Sequence, residues 1–171
     1  MPDNLPKPLE YRIGELLRVR GLLVVTAESC TGGLIADRLT DVPGSSEYFA
    51  GGVVAYANAV KTSTLGVSPM TITQHGAVSR ETVLEMAHGA RSLLHAHLAV
   101  SVSGIAGPGG GLPDKPVGTT WIGLAAGDGA WARLFYWEGD RRQNKLSSAE
   151  AVLQMLLDYL NGDRLLDGDP H

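Results

Sequence analysis

The sequence is poor in cysteine and has no long apolar segment. Its 171 residues include one cysteine, Cys30, so no disulfide can form within one chain. The N-terminal stretch lacks the apolar core and small-residue cleavage pattern of a signal peptide, and no uninterrupted apolar run is long enough to cross a bilayer. These absences are typical of a protein from a reducing compartment, and we expect a cytoplasmic location and no membrane partner.

The sequence also has no excess of basic residues. The chain has 14 Lys and Arg residues against 18 Asp and Glu residues, a formal net charge of −4. Such a chain has no general attraction for nucleic acid, although a local basic cluster can still bind a small anion. Hydrophobic residues make up 44% and charged residues 19%, which is typical of a folded protein. At this length we expect one domain over residues 1–171, with its core at about 9–161.

Hydrophobic periodicity predicts helices interleaved with strands. Leu9, Ile13 and Leu17 recur at helical spacing before Gly21, which predicts a first helix and its end. Further helices are predicted at 31–39, after an N-cap at Ser79, and from near Asp140 to Asn161-Gly162. Strands are predicted at 22–27, 49–57, 98–102, 119–125 and 130–136. This order predicts an α/β fold, a single layered domain whose central sheet is covered by helices and contains a late hairpin.

The segment VVTAESCTGG (24–33) places Ser29 after a buried strand and before a predicted helix. Free N–H groups and the helix dipole at such a point favour negative charge, which suits a nucleophile and a developing oxyanion. Ser and Thr are also the commonest helix caps, so Ser29 or Thr31 could instead serve only as a cap. Cys30 is a second candidate nucleophile, because thiols are intrinsically more reactive.

A serine nucleophile needs a base, and Lys61 is a better candidate than the five histidines. The histidines lie on or near a predicted helix, in a polar turn at His75, or at the chain end. Lys61 follows the strand FAGGVVAYA across a short Asn-Ala-Val turn, so it can enter the same crevice as Ser29. A lysine in a dry site can lose its proton near neutral pH, because burial disfavours the charged form. The alternative is an exposed lysine at the start of a helix.

A glycine-rich segment, SGIAGPGGG (103–111), follows the strand predicted at 98–102. Its glycines let the backbone approach a ligand closely and present N–H groups to an anion. It leads toward another strand, so it is not a dinucleotide-binding fingerprint, and the GK[ST] of a P-loop is missing. A plain mobile loop is the alternative.

Three cations, Arg141, Arg142 and Lys145, lie in the first turns of the last predicted helix. The helix dipole disfavours cations there, by roughly 0.3–1 kcal/mol each, and an anionic ligand such as a phosphate would offset that cost. Alternatively they are solvated or pair with carboxylates such as Asp140 and Glu150. The sequence contains no HExxH, and the pair His95 and His97 offers too few ligands for a closed metal site, so we expect no metal.

Six motifs occur in one order that is typical of a known family. They are AESCTGG (27–33), PGSSEYFAGGVVAYANAVK (43–61), QHGAVS (74–79), SGIAGP (103–108), KPVGT (115–119) and GDR (139–141). With them the chain resembles the CinA C-terminal domain family over nearly its whole length, from about Leu16 to about Leu160. The stand-alone members of that family include nicotinamide mononucleotide amidohydrolases.

The resemblance implies hydrolysis of the carboxamide of nicotinamide mononucleotide, which yields nicotinic acid mononucleotide and ammonia. It implies catalytic roles for Ser29 as nucleophile, Lys61 as general base and Tyr56 in the same pocket. The residues expected to bind this nucleotide are Cys30, Thr31, Gly32, Gly33, Ser103, Gly104, Gly107, Arg141 and Lys145. Many relatives have a second arginine where this chain has Lys145, which cannot make a forked contact to phosphate. We expect no cofactor, and a homo-oligomer with sites near the subunit interfaces.

Two other functions fit the same residues. A non-catalytic nucleotide-binding or interaction module of the same family would bind the ligand without releasing ammonia. An amidohydrolase acting on a different small amide is the other. A substrate without a phosphate would leave Arg141 without a role.

Overall fold

The computed structural model describes residues 6–165, so residues 1–5 and 166–171 of the expected domain, with the chain-end His171, lie outside the described residues. The strands are β1 (Val24–Glu28), β2 (Phe49–Val54), β3 (Leu98–Gly104), β4 (Thr119–Ala125) and β5 (Ala130–Tyr136). The helices are α1 (Leu9–Arg20), α2 (Leu34–Thr40), α3 (Asn58–Ser63), α4 (Pro69–His75), α5 (Arg80–Leu93) and α6 (Arg141–Asn161). None of the helices in this described part is long and apolar enough to cross a membrane.

The five strands form one mixed sheet in the order β2-β1-β3-β4-β5. Strand β1 pairs in parallel with β2 and with β3, whereas β3–β4 and β4–β5 pair antiparallel. The predicted late hairpin is therefore confirmed, with β4 and β5 at their predicted bounds. Because β1, β2 and β3 run the same way, their carboxyl ends meet at one edge of the sheet.

Helices cover both faces of this sheet. Every residue of β1 is buried, and successive residues face opposite sides, so Val24 and Val25 lie in different hydrophobic clusters. The first cluster includes residues of α1, α2 and α6, and the second is formed largely with α5. The predicted layered α/β architecture is confirmed.

The ends of several helices follow from their capping residues. Gly21 ends α1 in the left-handed conformation, with a φ of 63°. Ser79 caps α5, since its side chain accepts a hydrogen bond from the Thr82 N–H. Asp140 caps α6 in a capping box with Gln143. The predicted starts of α5 and α6 are thus confirmed.

The structure corrects the predicted start of α2 and the end of β2. Helix α2 begins at Leu34 rather than at residue 31, because Gly32 and Gly33 have φ values of 64° and 104°, which an α-helix cannot contain. Strand β2 ends at Val54 rather than at 57. The chain must leave the sheet there to start α3, in which the expected Asn-Ala-Val turn is the first helical turn.

Two short helices, α3 and α4, were not predicted. Each has six or seven residues, too few for a hydrophobic period to be recognised. A signal for α4 was nevertheless present in Ser68-Pro69, because Ser68 caps the helix and proline is favoured at its first position. In α6, Leu146 is 43% exposed, whereas Leu153 is fully buried.

Candidate active site

The candidate site lies at the sheet edge where the parallel strands end. The ladder continues one residue beyond β1, since the Ser29 N–H donates to the Val102 carbonyl at 3.0 Å. On the other side, the Ala55 N–H donates to the Glu28 carbonyl at 2.8 Å. These bonds hold Ser29 beside the segment that leads from β2 into α3, and α3 carries Lys61.

Lys61 and Ser29 form a buried pair. Lys61 is 1% exposed, Ser29 is 7% exposed, and the Lys61 Nζ lies 3.0 Å from the Ser29 Oγ. The same ammonium donates to the carbonyls of Ala55 at 2.9 Å and Tyr56 at 3.1 Å. Lys61 is therefore not exposed, and it does not follow a turn as expected. It lies within α3, and its side chain points at Ser29, the candidate nucleophile.

The environment of Lys61 favours the loss of its proton. Burial lowers the pKa of Lys61, because the charged form loses hydration that uncharged partners do not fully replace. A neutral amine keeps two N–H groups, which suffices for the Ala55 and Tyr56 carbonyls. Its lone pair then faces the Ser29 hydroxyl, which is the geometry a general base requires.

Cys30 is a poor nucleophile in this position. Its side chain is buried, and desolvation raises the pKa of the thiol to about 11. A hydrogen bond from the backbone of Cys30 itself lowers this pKa, the negative charge of Glu28 raises it, and Lys61 and Lys145 lower it by smaller amounts. The thiol is therefore protonated at neutral pH, and the thiolate is the reactive form of cysteine. Of the two candidate nucleophiles, Ser29 is the one with a base.

The backbone N–H groups of the turn between β1 and α2 differ in their hydrogen-bond acceptors. The N–H groups of Gly33, Ile35 and Ala36 bind the carboxylate of Glu28, and the Gly32 N–H donates to the Ser29 carbonyl. Of the four residues from Cys30 to Gly33 that were expected to bind the nucleotide, Gly32 and Gly33 therefore have N–H groups that already bond within the turn. Among residues 6–165 no acceptor from another residue is found for the N–H groups of Cys30 and Thr31.

Thr31 and the two glycines shape this turn in different ways. The Thr31 side chain is buried and donates to Glu28 at 2.5 Å, so the hydroxyl itself is not presented to a ligand. Gly32 is exposed, and a Cβ placed on it would lie 3.9 Å from the Lys145 Nζ. The left-handed backbone of Gly32 and Gly33 is what allows the chain to turn into α2 immediately after Ser29.

The glycine-rich segment forms a second wall of the site. Ser103 is buried at the end of β3 and donates to the Ala77 carbonyl at 2.8 Å. A Cβ at Gly104 would meet the Thr120 Oγ1 at 2.5 Å, and one at Gly107 would meet Val117 at the same distance. These close approaches leave no room for a side chain at Gly104, which packs against Thr120 of β4, or at Gly107, which packs against Val117.

Arg141 and Tyr56 meet at the mouth of the site. The Arg141 guanidinium donates to the Tyr56 hydroxyl at 3.0 Å and to the Gly107 carbonyl at 2.7 Å. Tyr56 is 60% exposed, so its ring lies at the rim. Tyr56 thus accepts two hydrogen bonds, one from Lys61 at its backbone carbonyl and one from Arg141 at its phenol oxygen.

The remaining cations extend the site along the start of α6. Arg141, Arg142 and Lys145 line a pocket of about 280 Å³ with Leu34 and Leu146. Neither expected partner takes up their charge, since Asp140 caps α6 and Glu150 pairs with Arg38. This arrangement can hold an anion next to the dyad.

A neighbouring pocket of about 220 Å³ contains the dyad itself and shares Arg141 with the cationic pocket. It is lined by Ser29, Cys30, Tyr56, Asn58, Lys61, Ala77, Val78, Ser103, Gly104, Ala106 and Arg141. Sequence reasoning missed Asn58, although its position three residues before Lys61 places both on one helical face once α3 is known. It also missed the role of Glu28. In the described ranges, no group of three or more His, Cys, Asp or Glu residues could hold a metal ion.

Comparison with known proteins assigns the family. The model of the CinA C-terminal domain matches residues 6–160, which is most of the chain. The chain belongs to the CinA C-terminal domain family. A CinA-like protein of Chloroherpeton thalassium is 50% identical over 158 residues, which cover 90% of this chain and 38% of that protein. One from Chlorobaculum tepidum is 52% identical over 154 residues, covering 87% and 36%.

Solved CinA structures agree with the fold. The competence/damage inducible protein CihA of Agrobacterium tumefaciens has a TM-score of 0.85 and 42% identity, and the match covers 92% of this chain and 98% of that one. The competence damage-inducible protein A (ComA) of Klebsiella pneumoniae has a TM-score of 0.87 and 32% identity, covering 90% and 95%. The chain therefore matches these solved CinA chains over nearly their whole length, but spans under two fifths of the curated CinA-like proteins above.

Proposed function

We propose that this protein hydrolyses the carboxamide of nicotinamide mononucleotide to nicotinic acid mononucleotide and ammonia. The observation that carries the proposal is the Lys61 Nζ, 1% exposed and 3.0 Å from the Ser29 Oγ, in a pocket that adjoins a cluster of cations. A buried base on a hydroxyl suits acyl transfer, and the cations suit a phosphate. The family resemblance supplies the identity of the amide.

The acylation step uses the dyad. Neutral Lys61 takes the proton of Ser29 as the Ser29 Oγ attacks the carboxamide carbon. The carbonyl oxygen becomes an oxyanion, and the N–H groups of Cys30 and Thr31 are the donors assigned to it. Lys61 then returns the proton to the amide nitrogen as the C–N bond breaks, which releases ammonia and leaves an ester on Ser29.

The deacylation step reverses the roles. Lys61, neutral again, takes a proton from a water molecule that attacks the ester carbon. The bond to the Ser29 Oγ breaks, the serine regains its proton from Lys61, and the product forms as a carboxylic acid that loses its remaining proton to water. Water is the only co-reactant, so the reaction balances without a cofactor.

The cationic pocket is assigned to the phosphate. Arg141 lines both pockets, so a ligand whose amide reaches Ser29 can extend its phosphate toward Arg141 and Lys145. Lysine binds phosphate as a point charge and not through a forked contact. Asn58 and Tyr56 line the pocket of the dyad and are left to contact the ribose and the pyridine ring.

Ammonia release from nicotinamide mononucleotide by the purified protein tests the proposal. We expect Ser29→Ala and Lys61→Ala each to reduce kcat by at least about 10³-fold, because the two act as one unit. Cys30→Ala should retain most of the activity, since its thiol stays protonated. Ser101→Ala, which removes a buried hydrogen bond to Val83 away from the pocket, serves as the folding control.

Three results would contradict the proposal. Near-normal turnover by Ser29→Ala excludes the serine as nucleophile, and loss of activity only in Cys30→Ala reassigns that role to the thiol. Nucleotide binding by the wild type without ammonia release favours the non-catalytic module.

A further inference from the structure

Glu28 is a buried carboxylate at the end of β1, directly before Ser29. It is 1% exposed, and it has no salt bridge with any described residue. A buried carboxylate without a cation must be stabilised by hydrogen-bond donors, because burial removes its hydration.

Four hydrogen bonds supply that stabilisation. One oxygen of Glu28 accepts from the Thr31 hydroxyl at 2.5 Å and from the N–H groups of Gly33 and Ile35, each at 3.1 Å. The other oxygen accepts from the Ala36 N–H at 2.9 Å. All four donors belong to the turn after Ser29 or to the first turn of α2, so one side chain ties this whole segment to β1.

These bonds also determine which backbone N–H groups of the turn can still donate a hydrogen bond to a substrate. The first turn of α2 is occupied by Glu28, so its N–H groups are not available to a phosphate or an oxyanion. The Gly32 and Leu34 N–H groups donate within the turn, to the carbonyls of Ser29 and Thr31. In residues 6–165 the N–H groups of Cys30 and Thr31 have no acceptor on another residue, and the residue after a nucleophile is a common oxyanion donor.

We propose that Glu28 is a positioning residue for the reaction: its carboxylate fills the start of α2 and fixes the turn so that the Cys30 and Thr31 N–H groups face the oxyanion of a substrate attacked by Ser29. This rests on the proposed function of the same site. The Glu28 carboxylate also repels an anion from the start of α2, so the phosphate is left to bind the cations of α6.

Glu28→Gln tests the proposal with little change of shape. The amide replaces an acceptor oxygen by an NH₂ group that faces N–H donors, so at least one bond is lost and the turn loosens. We expect kcat for ammonia release to fall by about 10²-fold, the effect of losing an oxyanion donor, with KM within about threefold. Glu28→Asp, which keeps the charge but is one methylene shorter, should recover part of kcat. The control is Ser101→Ala, which also loses a buried hydrogen bond.

Labelling of Ser29 by a fluorophosphonate separates this proposal from the identity of the substrate, because the reagent needs an activated, positioned serine but no nicotinamide. We expect Glu28→Gln to slow labelling by a factor similar to the loss of kcat. A wild type that is labelled but releases no ammonia contradicts the proposed substrate, while the labelling rates still decide the role of Glu28. Unchanged labelling in Glu28→Gln, an equal loss in Ser101→Ala, or a wild-type Ser29 that is not labelled overturns the positioning role.

Discussion

At the scale of single residues, the site depends on a lysine whose nearest polar partners are all uncharged. The Lys61 Nζ contacts one hydroxyl and two carbonyls, and no carboxylate from residues 6–165 lines its pocket. A carboxylate partner would hold the proton on Lys61, whereas these neutral partners leave desolvation as the main influence on its pKa. The lack of a carboxylate among the described neighbours of Lys61 therefore supports its proposed role as a base as much as its burial does.

The pH dependence of activity should report this lysine. Only neutral Lys61 can accept the serine proton, so kcat/KM should rise with pH through the lowered pKa of Lys61 and reach its plateau below the ordinary lysine range. Between the lowered pKa and the ordinary value the unfolded chain binds the extra proton, so stability should also rise with pH across that window. A pH series of initial rates checks the first claim. A midpoint at or above the ordinary lysine value contradicts it.

At the scale of elements, α6 combines a good cap with unfavourable cations. The Asp140 side chain accepts from the Gln143 N–H at 2.9 Å, and the Gln143 side chain accepts from the Asp140 N–H at 2.8 Å. This capping box stabilises the same helix start at which Arg141 and Lys145 oppose the helix dipole. The capping box thus stabilises a helix start whose cations can bind an anion, although these cations interact unfavourably with the helix dipole.

Asp140→Ala should reduce the free energy of unfolding by about 1 kcal/mol, because the Gln143 N–H loses its acceptor at the start of α6. Denaturant unfolding followed by circular dichroism measures the change. Asp163→Ala is the matched control, since Asp163 follows the end of α6 and no side-chain hydrogen bond is found for it in residues 6–165. Equal effects of the two substitutions would show that the cap contributes nothing specific.

At the scale of the whole molecule, α5 and the segment after α3 are in very close contact. A Cβ added to Gly89 of α5 would lie 1.8 Å from the Leu65 carbonyl oxygen, which is part of the backbone. Leu65 follows α3, and the Val67 N–H donates to the Lys61 carbonyl at 3.0 Å. The contact of α5 with the Leu65 segment therefore helps to set the position of Lys61, the proposed general base.

Gly89→Ala should lower both stability and activity. Alanine favours a helix over glycine by about 1 kcal/mol, but overpacking against a rigid backbone costs about 1–3 kcal/mol, and at 1.8 Å the clash should prevail. Thermal unfolding and ammonia release measure the two effects. Gly109→Ala is the stability control, because its added Cβ meets nothing within 4 Å. An unchanged or raised Tm for Gly89→Ala would contradict the predicted clash.

Local patterns determined much of this protein without a structure. The periodicity of α1 and α6, the cap at Ser79 and the two strands of the late hairpin depend on neighbours in sequence, so they were predicted from it. The identity of the site residues came from motifs in a family order, and their roles stay predictions until activity is measured.

The tertiary structure decided what depends on contacts between distant segments. Burial of Lys61 against Ser29, 32 residues earlier, follows from the parallel pairing of β1 with β2 and from a short helix with no readable period. The same pairing buries Glu28, and only its four hydrogen bonds show that the start of α2 is occupied. Desolvation is a property of the folded environment, so the sequence by itself indicated Lys61 and Ser29 as the candidate base and nucleophile, while the packing around them sets their charge.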